Sequence, residues 1–210
     1  MRMRRKSKLD SRIERCGHFL VAKPEVLCGH WLEAFSYDEL HIELGCGKGR
    51  FTIEFAKSEP DVLLVGLEKI SNVLVIALEH AEREGIKNTR FINRLADDLT
   101  SFFADGEVSR IYINFCDPWP ANRHAKRRLT GERFLELYKH VLQPGGQVHF
   151  KTDDLPLFEF SQKEFDRCGF TLSEISYNLH EQEPVGIMTD YEKKFHEQGM
   201  PIYRFVGVSS

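Results

Sequence analysis

The feature that most constrains this chain's fold is a regular exchange between two hydrophobic periodicities. Apolar runs of strand length, such as Val62–Leu67, alternate with stretches whose apolar residues recur at helical spacing. Strands that are apolar at consecutive positions need cover on both faces. The alternation therefore predicts an α/β fold with a mostly parallel sheet and helices on both sides. Strands are expected at 40–44, 62–67, 89–93, 110–116 and 147–151, and 170–178 and 202–206 complete seven. Helices are expected at Arg50–Ser58, from a Ser71 cap to about residue 84, at 129–142 and at 156–168. Pro144-Gly145-Gly146 is expected to stop the third of these. The chain has 210 residues, enough for one compact domain. Residues 1–35 show no strand pattern and read as an N-terminal basic appendage, leaving 36–210 as the domain.

Composition excludes several classes. The chain is 41% hydrophobic and 29% charged, ordinary values for a globular enzyme. No apolar run approaches the roughly 20 residues of a membrane span. The basic N-terminus lacks the apolar centre of a signal peptide. The expectation is a cytoplasmic protein with no membrane partner. Cys16, Cys28, Cys46, Cys116 and Cys168 make no C-x-x-C pair and read as reduced thiols. The nine histidines show no ligand spacing, so no metal is expected. The formal net charge of −3 argues against a protein that coats nucleic acid nonspecifically. Positive charge is nonetheless concentrated, in Arg2, Arg4, Arg5, Lys6 and Lys8 and again in Arg123, His124, Lys126, Arg127 and Arg128. Local patches attract phosphate even on an acidic protein. For the first cluster, a merely solvated face is an equal reading.

The chemistry-bearing motifs fall at strand ends. Glu43-Leu44-Gly45-Cys46-Gly47-Lys48-Gly49 follows the first strand and opens a helix. Alternate glycines let the backbone approach a ligand closely, although a simple tight turn would also use them. The G-x-G-x-G spacing differs from the G-x-G-x-x-G that suits a pyrophosphate. Glu43 would repel a pyrophosphate and would suit an ammonium or sulfonium group. Glu68 ends the second strand about twenty residues on, where nucleoside-binding folds hold ribose hydroxyls. Asp117-Pro118-Trp119-Pro120 follows the fourth strand, at the sheet end where ligands sit, and Trp119 offers a face to a base. The run 123–128 fits an RNA backbone track. As the start of the next helix it would oppose the helix dipole, a cost that points to use. Lys151-Thr152-Asp153-Asp154 ends the fifth strand. Thr189-Asp190-Tyr191-Glu192 reads as a helix start with a capping box between Thr189 and Glu192.

Taken together these motifs resemble the bacterial tRNA (guanine(46)-N7)-methyltransferases, which are Rossmann-like class I S-adenosylmethionine-dependent methyltransferases. The resemblance spans nearly the whole chain, from about Arg2 to Val206. It is most specific in Ile113-Asn114-Phe115-Cys116-Asp117-Pro118-Trp119-Pro120, in 123–128, in Lys151-Thr152-Asp153 and in Thr189-Asp190-Tyr191-Glu192. It implies methyl transfer from S-adenosylmethionine to N7 of guanine 46 in the tRNA variable loop, with Asp117 at the reaction centre. It implies that Glu43, Gly45, Gly47, Glu68, Leu95 and Asp117 meet the cofactor. Ala121, Asp153, Thr189 and Glu192 would lie at the guanine, and Arg123, His124, Lys126, Arg127 and Arg128 on the tRNA. A homodimer is compatible with it. Two positions depart from the family pattern: Ala121 stands where lysine is usual, and Leu95 where an acid or asparagine holds the adenine. Asn93, Asp97 or a backbone amide is the substitute expected for the latter.

Competing readings are a small-molecule or other RNA methyltransferase of the same fold, a nicotinamide dehydrogenase and a noncatalytic RNA-binding module. The first would not need the basic run. The second is disfavoured by the loop spacing and Glu43. The third has no use for Glu43 and Glu68.

Overall fold

The computed structural model describes residues 9–183 and 185–209. The basic start from Arg2 to Lys8 lies outside them. The strands are β1 (Glu39–Leu44), β2 (Val62–Leu67), β3 (Thr89–Ile92), β4 (Val108–Asn114), β5 (Leu142–Thr152), β6 (Thr171–Ser176) and β7 (Tyr203–Val208). They form one sheet in the order β3-β2-β1-β4-β5-β7-β6. Strands β1 to β5 pair in parallel, and β7 runs antiparallel between β5 and β6. The helices are α1 (Leu9–Arg15), α2 (Trp31–Phe35), α3 (Arg50–Ser58), α4 (Ser71–Arg83), α5 (Leu99–Phe102), α6 (Glu132–Val141), α7 (Leu155–Arg167) and α8 (Asp190–Glu197). This is the Rossmann-like, mostly parallel seven-stranded architecture expected from the sequence.

The sheet explains the continuous apolar runs. All six residues of β2 are buried. On one face Phe51 and Phe55 of α3 cover Val62, Leu64 and Tyr112. On the other, Leu135 and Tyr138 of α6 and Phe158 and Phe165 of α7 pack on Ile111, Ile113, Phe150 and Phe205. The chain reverses direction of growth between β1 and β4, so the crevice beyond their carboxyl ends is the natural ligand position.

Several expectations change. Residues 9–35, read as an appendage, are packed into the domain. Trp31 is fully buried, and its Nε1 donates to the Phe102 carbonyl at 2.8 Å. The Glu107 carboxylate accepts from the amides of Gly29, Trp31 and Ala104 at 2.9, 3.0 and 2.8 Å. Burying an indole of this size contributes about 4–6 kcal/mol as an upper bound. Single apolar anchors on irregular backbone carry no periodicity, which is why the sequence pattern missed them. Ser71 does not cap α4: its hydroxyl donates to Asn93 Oδ1 at 2.7 Å. The third amphipathic helix begins at Glu132, later than expected, because the basic run forms its own 3₁₀ turn, Asn122–Arg127. After α6 the chain enters β5 directly at Leu142. Pro144-Gly145-Gly146 forms a bulge inside that strand, and pairing with β4 shifts between Val108 and Arg110.

Among the described residues no helix is long and apolar enough to cross a membrane. None of them forms a group of three or more His, Cys, Asp or Glu that could hold a metal ion.

Candidate functional site

A cleft of about 880 Å³ opens beyond the carboxyl ends of the parallel strands. The glycine loop after β1 forms its floor. Gly45, Gly47 and Gly49 have φ of 77°, 59° and 78°, values that side chains of L residues disfavour. A Cβ on Gly49 would also lie 2.7 Å from the Ala77 Cβ. That glycine therefore lets α3 and α4 approach, while Gly45 and Gly47 turn the chain beneath the cleft.

Glu43 is the last-but-one residue of β1, 2% exposed, and lines the cleft. Thr52 Oγ1 donates to its Oε2 at 2.6 Å, and Asn114 Nδ2 to its Oε1 at 3.2 Å. Burial pushes its pKa up to about 7, against the pull of these two hydrogen bonds. A buried carboxylate with neutral partners and a raised pKa is a receptor for a cation. Thr52 and Asn114 were not singled out from sequence. Asn114 sits inside the motif that carries the resemblance, which was its only signal.

Glu68 follows β2 at the cleft wall, and its Oε1 accepts from the Ile70 amide at 2.8 Å. Beside it, Ile70 and Leu95 line the cleft with 39% and 49% of their surface exposed. Such exposed apolar residues at a pocket rim suit a flat heterocycle. Of the two substitutes expected near Leu95, Asp97 lines the cleft and pairs with Arg133. Asn93 does not line it. Its amide donates to the Glu68 carbonyl at 2.7 Å and fixes the β2–β3 ends.

Asp117 is exposed and lines the cleft beyond β4. Its loop is bounded by two left-handed residues, Phe115 at φ 54° and Trp119 at φ 43°. Each such conformation costs on the order of 1–3 kcal/mol for a bulky residue. The loop is held by Arg128, which donates through Nε to the Pro118 carbonyl at 3.1 Å and through Nη2 to the Trp119 carbonyl at 2.9 Å. Its guanidinium also lies over the Phe160 ring at 4.3 Å. Arg128, expected on RNA, is half-buried and engaged by its own loop. Burial pushes the Cys116 thiol up to about 12 and the Cys46 thiol well above its usual range, so neither is a thiolate at neutral pH.

The rest of the basic run divides. Lys126 and Arg127 line the cleft, and Arg127 stacks over Trp119 at 4.8 Å. Arg123 and His124 lie outside the cleft wall, with Arg123 Nε 3.2 Å from His124 Nε2. Because the run ends before Gly131, the N-cap of α6, it does not oppose that helix's dipole, and the cost inferred from sequence is absent. Ala121 is exposed and Asp153 half-buried, and neither lines the cleft.

Thr189 lines the cleft and caps α8, and the expected capping box with Glu192 is present. Glu192, expected at the guanine, is instead fully buried. Lys151 Nζ donates to both its oxygens at 2.9 and 3.0 Å and to the Ile187 carbonyl at 3.0 Å. The Val185 amide donates to His180 Nδ1 at 3.0 Å. That fixes the proton on Nε2, which donates to Glu192 Oε1 at 2.9 Å. With the Thr189 amide also donating to Oε2, no lone pair remains for a substrate. Glu192 ties α8 to β5. The sequence could not reveal this, because Lys151 and His180 are remote from Glu192 along the chain.

The profile of a family described as "Putative methyltransferase" matches residues 38–205. The crystal structure of the 16S rRNA methyltransferase KamB is similar at 16% identity over 87% of this chain and 93% of that chain, with a TM-score of 0.68. The aminoglycoside resistance methyltransferase NpmB1 is similar at 20% identity over 90% and 95%, TM-score 0.58. A 16S rRNA (adenine(1408)-N(1))-methyltransferase variant with cosubstrate SAM, from Catenulisporales acidiphilia, is similar at 12% identity over 86% and 90%, TM-score 0.60. At these identities the likeness is one of fold, whereas the family profile spans most of the sequence. The chain belongs to this family of methyltransferases.

Proposed function

We propose that this methyltransferase acts on tRNA, at N7 of guanine 46 in the variable loop. The observation that carries the reading is a single cleft with three chemistries. It has a buried cation-receptive carboxylate at Glu43, an exposed carboxylate beside an indole at Asp117 and Trp119, and phosphate-compatible cations at Lys126 and Arg127. The motif resemblance across β4 and its loop supports tRNA in particular.

S-adenosylmethionine is the methyl donor of this class I enzyme, and it supplies an electrophilic methyl group on a sulfonium. The residues present fit it. Glu43 would take the methionine ammonium, Gly45 and Gly47 the close backbone approach, Glu68 the ribose hydroxyls, and Ile70 and Leu95 the adenine faces. Guanine N7 carries a lone pair and no proton, so no side chain has to remove one. The enzyme's task is alignment, with Asp117 orienting the guanine edge and stabilising the positive charge that develops on the base. Asp117 lines the cleft and Asp153 does not, and we assign this role to Asp117 in preference to Asp153. Lys126 and Arg127 would hold the RNA backbone. Arg128 would act at one remove, by fixing the loop that carries Asp117.

The deciding experiment is mass analysis of nucleosides from tRNA incubated with the protein and labelled S-adenosylmethionine. The expected product is 7-methylguanosine, and mass mapping of nuclease fragments of the same tRNA should place it at position 46. Label on 16S rRNA or on small molecules, with none on tRNA, would replace this reading by another methyltransferase of the same fold.

A further inference from the structure

Behind the glycine loop lies a second concavity of about 330 Å³, lined by Lys48, Arg50, Glu54, His80, Arg83 and Asp190. Lys48, Arg50 and Asp190 also line the main cleft, so the two spaces share a wall at the loop. The ion pairs here leave part of the positive charge unanswered. Arg50 is the first residue of α3 and Lys48 precedes it by two, which places both cations at the positive end of a helix dipole, where they are disfavoured. Asp190 answers only one of them: Arg50 Nη1 donates to its Oδ1 at 2.9 Å. Arg50 Nε is buried without a hydrogen-bond partner. Among the described residues Lys48 has no ion-pair partner. Glu54 is taken by Lys57 at 3.2 Å. Glu84, beside the groove, is shared between Lys57 and Arg83 at 2.9 and 3.2 Å. Arg83 keeps 67% of its side chain exposed. Burial lowers the His80 pKa, with Arg83 adding to the effect.

We propose that this groove binds a backbone phosphate of the RNA substrate. The RNA would then be gripped on both sides of the cleft, by Lys126 and Arg127 on one wall and by Lys48 and Arg83 across the glycine loop. A phosphate in the groove would meet charge-assisted donors from Lys48 and Arg83. It would also give the cations at the start of α3 the anion that this helix end favours. The inference rests on the proposal of an RNA substrate and adds where the backbone runs.

The test is the salt dependence of RNA binding, measured by fluorescence anisotropy on a tRNA transcript and on a 16S rRNA fragment. The paired change Lys48→Ser and Arg83→Ser should lower the slope of log K against log salt by about 0.7, the contribution of one phosphate contact on a single-stranded segment. Lys48→Arg with Arg83→Lys should restore it. Arg83→Ser alone, outside the main cleft, should keep the parent's affinity for S-adenosylmethionine. Lys163→Ser, an exposed change on α7 on the opposite face of the sheet, should leave the slope alone. A slope unchanged on every RNA that the parent binds overturns the groove proposal and leaves the substrate reading standing. A lowered slope on rRNA only, with tRNA not bound, upholds the groove and overturns the tRNA reading. Binding of neither RNA by the parent overturns both.

Discussion

Glu43 is both buried and titratable near neutrality, and that combination makes cofactor binding a proton-releasing event. Its pKa of about 7 against an ordinary 4.5 corresponds to about 3 kcal/mol disfavouring the charged form. A ligand ammonium placed against it would reverse that balance, because an opposite charge at contact distance favours ionisation. At pH 6 the free enzyme carries about 0.9 proton on this carboxyl, and binding should expel nearly all of it; at pH 8 about 0.1 remains to be lost. Calorimetric titration with S-adenosylmethionine, in buffers of different ionisation enthalpy, reads this release directly. Glu43→Gln keeps the side-chain shape and the contacts with Thr52 and Asn114 but has no proton to lose. It should show no buffer dependence and should bind the cofactor more weakly by about 1.5–3 kcal/mol. The same variant exposes the linkage to folding. The folded protein holds this proton more tightly than the unfolded chain does. The group's contribution to stability is therefore full below pH 4.5 and falls as pH rises to 7. Over that window the ligand-free parent should lose about 3 kcal/mol relative to Glu43→Gln. A parent enthalpy at pH 6 that does not vary with buffer would refute the reasoning.

Glu68→Ala should weaken cofactor binding by about 1–3 kcal/mol, the range for a lost charged hydrogen bond; unchanged calorimetric affinity would remove Glu68 from the ribose site. Arg128→Ala should reduce the single-turnover rate by about tenfold or more through a loosened Asp117 loop. It should leave the salt slope of RNA binding intact, whereas Arg127→Ser should lower that slope by about 0.7; a fall for Arg128→Ala too would put that side chain on the RNA. Asp117→Asn should cost single-turnover rate far more than RNA affinity. With cofactor saturating, and Glu43 therefore ionised, the parent's chemical step should be flat from about pH 6 to 9. A steep rise there in the parent would indicate a general base, and an atom other than N7.

How far these features were legible in sequence depended on whether a residue's role is local. Val62–Leu67 and Arg50–Ser58 appear with the bounds read from periodicity, because burial on both faces and amphipathic spacing are properties of a short window. The Thr189 capping box is similarly local. Glu43, Glu68 and Asp117 could be placed in one cleft because parallel sheets put strand ends together. What was missed is long-range. Glu192 meets Lys151 41 residues away, and Trp31 reaches a carbonyl 71 residues on. Arg128 looks from sequence like its basic neighbours, and only the backbone curvature at Trp119 turns it inward.

The position of β7 bears on how this chain is made. Strands β5 and β6 never touch each other directly; each pairs with β7, which is translated after both. During synthesis β5 therefore presents an unpaired edge carrying Val148 and Phe150 until residues 203–208 leave the ribosome. Open apolar edges of this kind recruit strands from other nascent chains. Yield in the cell should thus depend on how long translation dwells between β6 and β7. Slow codons across 177–202 would lengthen the hazard, and supplying a chaperone that covers extended apolar segments would shorten it.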